Sequence, residues 1–178
     1  MKLLPLVILF LGSVVFAADD FEKAGKAVGA FYDVYLQTKA SSGVPTGSRL
    51  ARFRPVVSKE LFSLLSKADN AEEYYAKKTK GESPPLVEGD LFTSLFEGAV
   101  SYEVKKCEVK DKSAQCMVVL KNTDPRDKSV VSWHDRVFLV RAGAGWRVDD
   151  IEFLGDWQFM HEGRLKTLLH QVIADSRE

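Results

Sequence analysis

The strongest indication of the fold is in residues 100–122, VSYEVKKCEVKDKSAQCMVVLKN. In its first half apolar and polar side chains alternate, as in a half-buried β-strand, and the alternation slips by one residue near 105–106, which predicts a β-bulge. Residues 111–112 form the expected turn, and an apolar run follows it. Folding the chain about that turn places Cys107 opposite Cys116, and a four-residue loop would keep the same pairing. The stretch therefore predicts an antiparallel hairpin whose two cysteines face each other.

The sequence on either side of this hairpin predicts two further strands and a set of helices. Successive strands joined by short turns form an antiparallel sheet, here from residues 100–109, 114–122, 129–141 and 145–154. Apolar side chains at three- and four-residue spacing predict helices over 20–39, 58–68, 71–80 and 165–173. We therefore expect an α+β fold, with N-terminal helices packed on a curved antiparallel sheet of about four strands and a closing C-terminal helix.

Composition and charge narrow the class of protein. The chain has 178 residues, of which 46% are hydrophobic and 28% charged, which is typical of one globular domain and unlike a disordered chain or a bundle of membrane helices. Lys and Arg together number 25 and are balanced by 25 Asp and Glu residues. A neutral chain lacks the basic excess that neutralises phosphates, so nucleic acid is not an expected partner.

The N-terminal residues have the pattern of a signal peptide. Lys2 precedes an apolar run over 3–11, and the small side chains of Val15 and Ala17 match a cleavage site after Ala17. The alternative is a membrane anchor, but the apolar-type residues over 3–18 fall short of the roughly 20 that span a bilayer, and Pro5 weakens a continuous helix. The sequence therefore predicts cleavage, with no stable membrane anchor afterwards.

We expect a signal peptide at residues 1–17 and a single domain at 18–178, located in the bacterial periplasm or secreted. Disulfides persist in such oxidising compartments, so Cys107 and Cys116 are expected to be bonded to each other. Their separation is not the C-x-x-C spacing of a redox or metal-binding pair.

Two aspartates occupy unusual positions in the predicted sheet. Asp135 falls on the apolar face of the third strand, together with Trp133. In a dry pocket the pKa of Asp135 would rise, and its carboxyl would act as a general acid or base. The alternative is that the carboxylate accepts hydrogen bonds from backbone N–H groups or an indole and has a structural role. The same alternatives apply to Asp150, whose direction depends on whether the fourth strand bulges at 149–150.

Two loops, 88–98 and 155–159, combine aromatic and acidic residues. They either supply the anchors and charged rim of a binding surface or plug the ends of the sheet as ordinary core. The candidate ligand- or partner-binding residues of these loops and of the strands are Asp90, Phe92, Phe96, Trp133, Asp135, Asp150, Asp156 and Trp157.

The sequence contains no motif for nucleophilic, nucleotide or metal chemistry. It has no G-x-S-x-G, P-loop or G-x-G-x-x-G pattern. His134 points away from Asp135 on an ideal strand, and it shares no ligand spacing with His161 and His170. We therefore predict no metal, no cofactor and no catalytic residues.

Three pieces of the sequence carry a resemblance to a known family. They are PPLVEGDLFTSLFEG at 84–98, the Trp133-x-Asp135 pair, and WRVDDI at 146–151 leading into GDWQF at 155–159. Together they resemble the bacterial family called domain of unknown function 3828. This resemblance implies a nuclear transport factor 2-like, or cystatin-like, fold: a cone-shaped sheet with an internal pocket. It also implies an exported envelope protein, although this chain lacks the acylated cysteine found in many members.

The combined pattern favours a binding or interaction module over an enzyme. Its contact surface would be the apolar pocket or the two aromatic, acidic loops, and its partner an unidentified small ligand or envelope protein. The alternative is a small-molecule isomerase, dehydratase or hydrolase-type enzyme that uses a pocket aspartate, as on related pocketed folds.

Overall fold

The computed structural model describes residues 13–38, 43–124, 126–157 and 161–177, and side chains from residue 19 onward. Residues 1–12 of the expected signal peptide lie outside these ranges. Among the described residues, no helix combines the length and apolar character needed to cross a bilayer.

The four predicted strands form one antiparallel sheet in sequence order. They are β1 (Ser101–Lys110), β2 (Ser113–Thr123), β3 (Val130–Ala142) and β4 (Gly145–Phe153). Each boundary lies within one residue of the prediction, because period-two alternation between turn residues is a local signal that needs no tertiary information. The α+β class and the four-stranded sheet are thus confirmed.

The β1–β2 hairpin has the predicted register. Lys110 pairs with Ser113 around the two-residue turn, and the register shifts between Val104 and Cys107, where the bulge was expected. Cys107 lies opposite Cys116 with a Cα–Cα distance of 4.0 Å, and the two form a disulfide. The predicted bond is confirmed.

The helices differ from the prediction in length, and the short helix over 47–53 was not predicted. They are α1 (Ser13–Thr38), α2 (Gly47–Phe53), α3 (Lys59–Lys78) and α4 (Leu165–Asp175). The helices predicted separately at 58–68 and 71–80 form the single helix α3, because no Gly or Pro interrupts the buried stripe between Ala68 and Ala71. Ser58 caps this helix, as its hydroxyl oxygen accepts a hydrogen bond from the Leu61 N–H at 2.9 Å.

Helix α1 lies across the inner face of the sheet and closes the core. It contacts β1, β2 and β4, and buries Phe31, Tyr32 and Tyr35 completely or nearly so. Two polar contacts hold it in place: the Tyr102 hydroxyl donates to Asp33 Oδ1 at 2.7 Å, and the Arg141 guanidinium donates to both carboxylate oxygens of Asp20. The inner face of the sheet is therefore covered by helix α1 and its aromatic side chains.

A second bulge changes the direction of one candidate residue. The β3–β4 register shifts between Phe138 and Leu139, so that Phe138 pairs with Asp150 and Val137 pairs with Ile151. Paired residues in an antiparallel ladder share a face. Asp150 therefore lies on the face opposite Val137 and the core, and the alternative left open by the sequence is settled by this bulge.

Candidate functional site

Asp135 lies at the centre of the candidate region, fully buried on β3. Its Oδ2 accepts hydrogen bonds from the Ser94 N–H at 3.0 Å and the Trp133 indole N–H at 3.2 Å. Its Oδ1 accepts from the Leu154 N–H at 3.0 Å and from the Ser94 hydroxyl. All four donors belong to the protein, which is the arrangement of a structural carboxylate.

Burial raises the pKa of Asp135, and the four hydrogen bonds offset part of this effect. A general acid or base must also reach a proton on its substrate. The Asp135 carboxyl has no exposed surface, and helix α1 covers the face on which it lies. The Asp135 carboxyl therefore holds the neighbouring loops in position and is not placed to contact a substrate.

Asp150 is also structural, and it caps a helix from a neighbouring strand. Its Oδ1 accepts hydrogen bonds from the N–H groups of Ile151 and Lys166, both at 3.0 Å. Lys166 lies in the first turn of α4, and the residue at the N-cap position, Arg164, provides no side-chain cap. Burial raises the pKa of Asp150, whereas these hydrogen bonds and the nearby Arg164 and Lys166 lower it in part.

Asp90 joins the first aromatic loop to helix α1. Its Oδ2 accepts a hydrogen bond from the Tyr35 hydroxyl at 2.7 Å, and its Oδ1 accepts from the Phe92 N–H at 2.9 Å. The Tyr35 oxygen in turn accepts from the Ala99 N–H at 2.8 Å. Burial, followed by the neighbouring Asp90 carboxylate, raises the pKa of Tyr35 well above its usual value. These bonds fix both ends of the loop against the core.

The two aromatic loops are neighbours. The Gly155 N–H donates to the Ser94 hydroxyl oxygen at 3.0 Å, and the Trp157 ring packs edge-to-face on Trp133 at 5.5 Å between centroids. A Cβ at Gly155 would lie 2.7 Å from the Ser94 Cβ, so only glycine allows this approach. The loop residues 158–160 lie outside the described residues.

The aromatic candidates divide into buried and accessible groups. Phe92 and Trp133 are buried, and Phe92 packs against Phe31 and Phe53 as ordinary core. Phe96 is 47% exposed, Trp157 is partly buried, and Asp156 is exposed. The accessible members of the predicted set thus belong to the two loops, whereas the strand members are structural.

Beside the loops is a cleft of about 720 Å³, which we call the Trp157 cleft. Its apolar side chains come from the first loop, the two strand ends beside it and the second loop: Leu95, Val100, Val131 and Trp157. Charged residues on its border are Glu97, Asp124 and Arg126, and the Arg126 guanidinium donates to Asp124 Oδ2 at 2.7 Å.

Of the predicted candidates, Trp157 alone is among the described residues that line this cleft. The sequence analysis missed Val100, Val131, Asp124 and Arg126. An available signal was the presence of apolar residues at strand ends, next to a charged turn. No group of three or more His, Cys, Asp or Glu side chains within the described part of the chain could hold a metal ion.

The elements and the site define an α+β protein with an open, four-stranded antiparallel sheet. No family model and no curated protein matches the chain. It is similar to a solved structure of a protein of unknown function from Bacteroides thetaiotaomicron VPI-5482, with 15% identity and a TM-score of 0.40, over 78% of this chain and 95% of the other. Membership in the domain of unknown function 3828 family stays a prediction.

Proposed function

We propose that the protein is an exported binding module of the bacterial envelope and that the Trp157 cleft is its contact surface. The observation that carries this proposal is the meeting of both aromatic loops with two strand ends around one accessible, partly apolar cleft. Its volume of about 720 Å³ lies in the range of small-ligand sites, which combine apolar walls with a few polar groups.

The chemistry of the cleft suits a ligand or peptide segment with an apolar group and a polar edge. Leu95, Val100 and Trp157 offer apolar surface, while Glu97 and Arg126 offer both signs of charge at the border. Aromatic and Arg side chains are enriched among residues that dominate binding energy. The occupant would insert its apolar group between the loops and place its polar groups against the border.

The alternative of an enzyme with a pocket aspartate has weaker support. Such a site needs at least two ionisable groups that converge on a space open to substrate. Asp135 is buried and uses both oxygens for backbone, hydroxyl and indole donors. A binding role requires no such access, so we favour it.

The finer fold type and the location are part of the same proposal. A nuclear transport factor 2-like cone, as the family resemblance implies, accommodates a four-stranded antiparallel sheet with a long helix packed on it. An oxidising compartment suits the Cys107–Cys116 disulfide. Periplasmic or secreted location would be tested by fractionating the native cell.

Site-specific photo-crosslinking in the native cell tests the binding role. A photoreactive amino acid replaces Val100, which is 50% exposed beside the cleft, and in a control replaces Lys112 in the β1–β2 turn. We expect a discrete product from position 100 that is lost when Trp157→Ala is added, and none from position 112. No product at position 100, or equal products at both positions, would contradict the proposal.

A further inference from the structure

A second groove lies between helices α3 and α4, and the described residues that line it are all different from those of the Trp157 cleft. Its volume is about 550 Å³. Leu64 and Ala71 of α3 form a buried floor, Ile173 of α4 forms one side, and Tyr74, whose side chain is 56% exposed, forms the other. The groove therefore offers a continuous apolar surface that is open to water.

Among the described residues, the charged side chains that line this groove are basic or, for histidine, able to become so. Lys67 of α3 and His170 and Arg177 at α4 are the ionisable members of the lining apart from the Tyr74 phenol. Two other lysines of the same helices are paired, Lys77 with Glu73 and Lys166 with Asp149 and Glu60. Within the part of the chain that the structure describes, Lys67 and Arg177 form no ion pair, and both side chains line the groove.

Glu60, one turn before Leu64, pairs with Lys166 at 3.2 Å, and other acidic residues of α3 lie away from the groove. At 3.6 residues per turn, Leu64, Lys67, Ala71 and Tyr74 share one flank of α3, whereas Glu72 lies on the other. There Glu72 accepts hydrogen bonds from the N–H groups of Leu86 and Val87 at 3.1 and 2.9 Å. The positive character of the groove is thus a property of this face, in a chain whose net charge is zero.

We infer that this groove binds a free fatty acid, with its acyl chain on the Leu64–Ala71 floor and its carboxylate at Lys67 and Arg177. An apolar floor with unpaired cations at its edge is complementary to a single-chain amphiphile that carries one negative charge. A cationic amphiphile would instead meet like charge. The distance along α3 from Leu64 to Tyr74 is about 15 Å, which suits a chain of intermediate length.

Titration of the full chain with dodecanoate, below the concentration at which it forms micelles, tests this assignment. We expect saturable binding of one molecule, and weakening of about tenfold in a Lys67→Gln, Arg177→Gln double variant. Lys77→Gln, at an exposed position outside the groove lining, is the matched control and should bind as the wild type does.

A series of chain lengths provides an independent measurement. From octanoate to dodecanoate, each added methylene group should strengthen binding by up to about fourfold, because it removes further apolar surface from water. Dodecyltrimethylammonium, with the same chain and the opposite charge, should bind at least about tenfold more weakly.

Three results would overturn the inference. They are the absence of saturable dodecanoate binding, equal affinity for the anionic and cationic amphiphiles, and equal affinity of the double variant and the wild type. Sedimentation of the chain alone as a dimer that Ile173→Glu dissociates would assign the groove to a second copy of the chain instead. These outcomes are independent of crosslinking at Val100, so either proposal can fail alone.

Discussion

The backbone N–H of Ser94 donates to Oδ2 of Asp135 at 3.0 Å, across 41 residues of sequence. The same carboxylate accepts from the Leu154 N–H, and Gly155 donates to the Ser94 hydroxyl. One buried side chain thus connects the first aromatic loop, the middle of β3 and the start of the second loop. Because these loops border the Trp157 cleft, Asp135 determines the shape of the cleft without entering it.

Replacing this carboxylate should destabilise the fold. In Asp135→Asn, the amide nitrogen would face two of the present hydrogen-bond donors, and we expect the free energy of unfolding to fall by about 2–4 kcal/mol. Urea denaturation measures the change. The control is Asp156→Asn on the exposed side of the second loop, which should change stability by less than about 0.5 kcal/mol. Equal effects of the two substitutions would show that Asp135 has no organising role.

The close packing around Gly98 predicts that two glycine substitutions will differ in their effect on stability. Gly98 has φ +70°, and a Cβ there would lie 2.5 Å from both the Asp90 Oδ2 and the Tyr35 hydroxyl oxygen. Gly81 has a similar φ of +73° but open space around it. Gly81→Ala should therefore lower the free energy of unfolding only by the cost of placing alanine at a positive φ, about 1–2 kcal/mol. Gly98→Ala should lower it by clearly more, because its Cβ also meets other atoms. Thermal unfolding compares the two variants, and equal losses of stability would contradict the close approach of Asp90 and Tyr35 to Gly98.

The raised pKa of Tyr102 predicts that the protein loses stability at alkaline pH. Burial, then its hydrogen bond to Asp33, raises its pKa to about 12, above the value of about 10 for a free tyrosine. The folded state holds this proton more tightly than the unfolded state does. The resulting contribution of the Tyr102 phenol to the free energy of unfolding is therefore complete below about pH 10, and it is lost as the pH rises towards 12. Urea denaturation at about pH 8 and pH 11.5 should show a larger loss for the wild type than for Tyr102→Phe. The same loss in both proteins would contradict the pKa shift.

The disulfide is expected to stabilise the hairpin end of the sheet. Cys107 and Cys116 are separated by 9 positions. Opening a ring of this length costs about 3 kcal/mol in the chain-entropy model. A Cys107→Ser, Cys116→Ser double variant should lose about that amount of unfolding free energy, and addition of reductant should then have no further effect on it. If reductant leaves the wild type unchanged, and mass spectrometry finds two free thiols, the bond is absent in solution.

The sheet and the hairpin bond were predictable because their signals are local. Alternation of apolar and polar residues reports the strand repeat directly, and the slip at 105–106 reported the bulge. Cys107 and Cys116 pair through a turn of two residues, so counting along the chain was sufficient. Helix α3 was split in the prediction because a weakening of the apolar stripe looks like an end when no packing partner is known.

The strands, the bulge in β1 and the opposition of the two cysteines could be read from the residues alone, since each follows from backbone periodicity over a few residues. The folded structure was needed to show that Asp135 is structural and that Asp150 turns outward to cap α4. It was also needed to show that Trp157 shares a cleft with Val100 and Val131. Those outcomes depend on hydrogen bonds and contacts between segments far apart in the chain, and loops without a repeat carry no local record of their partners.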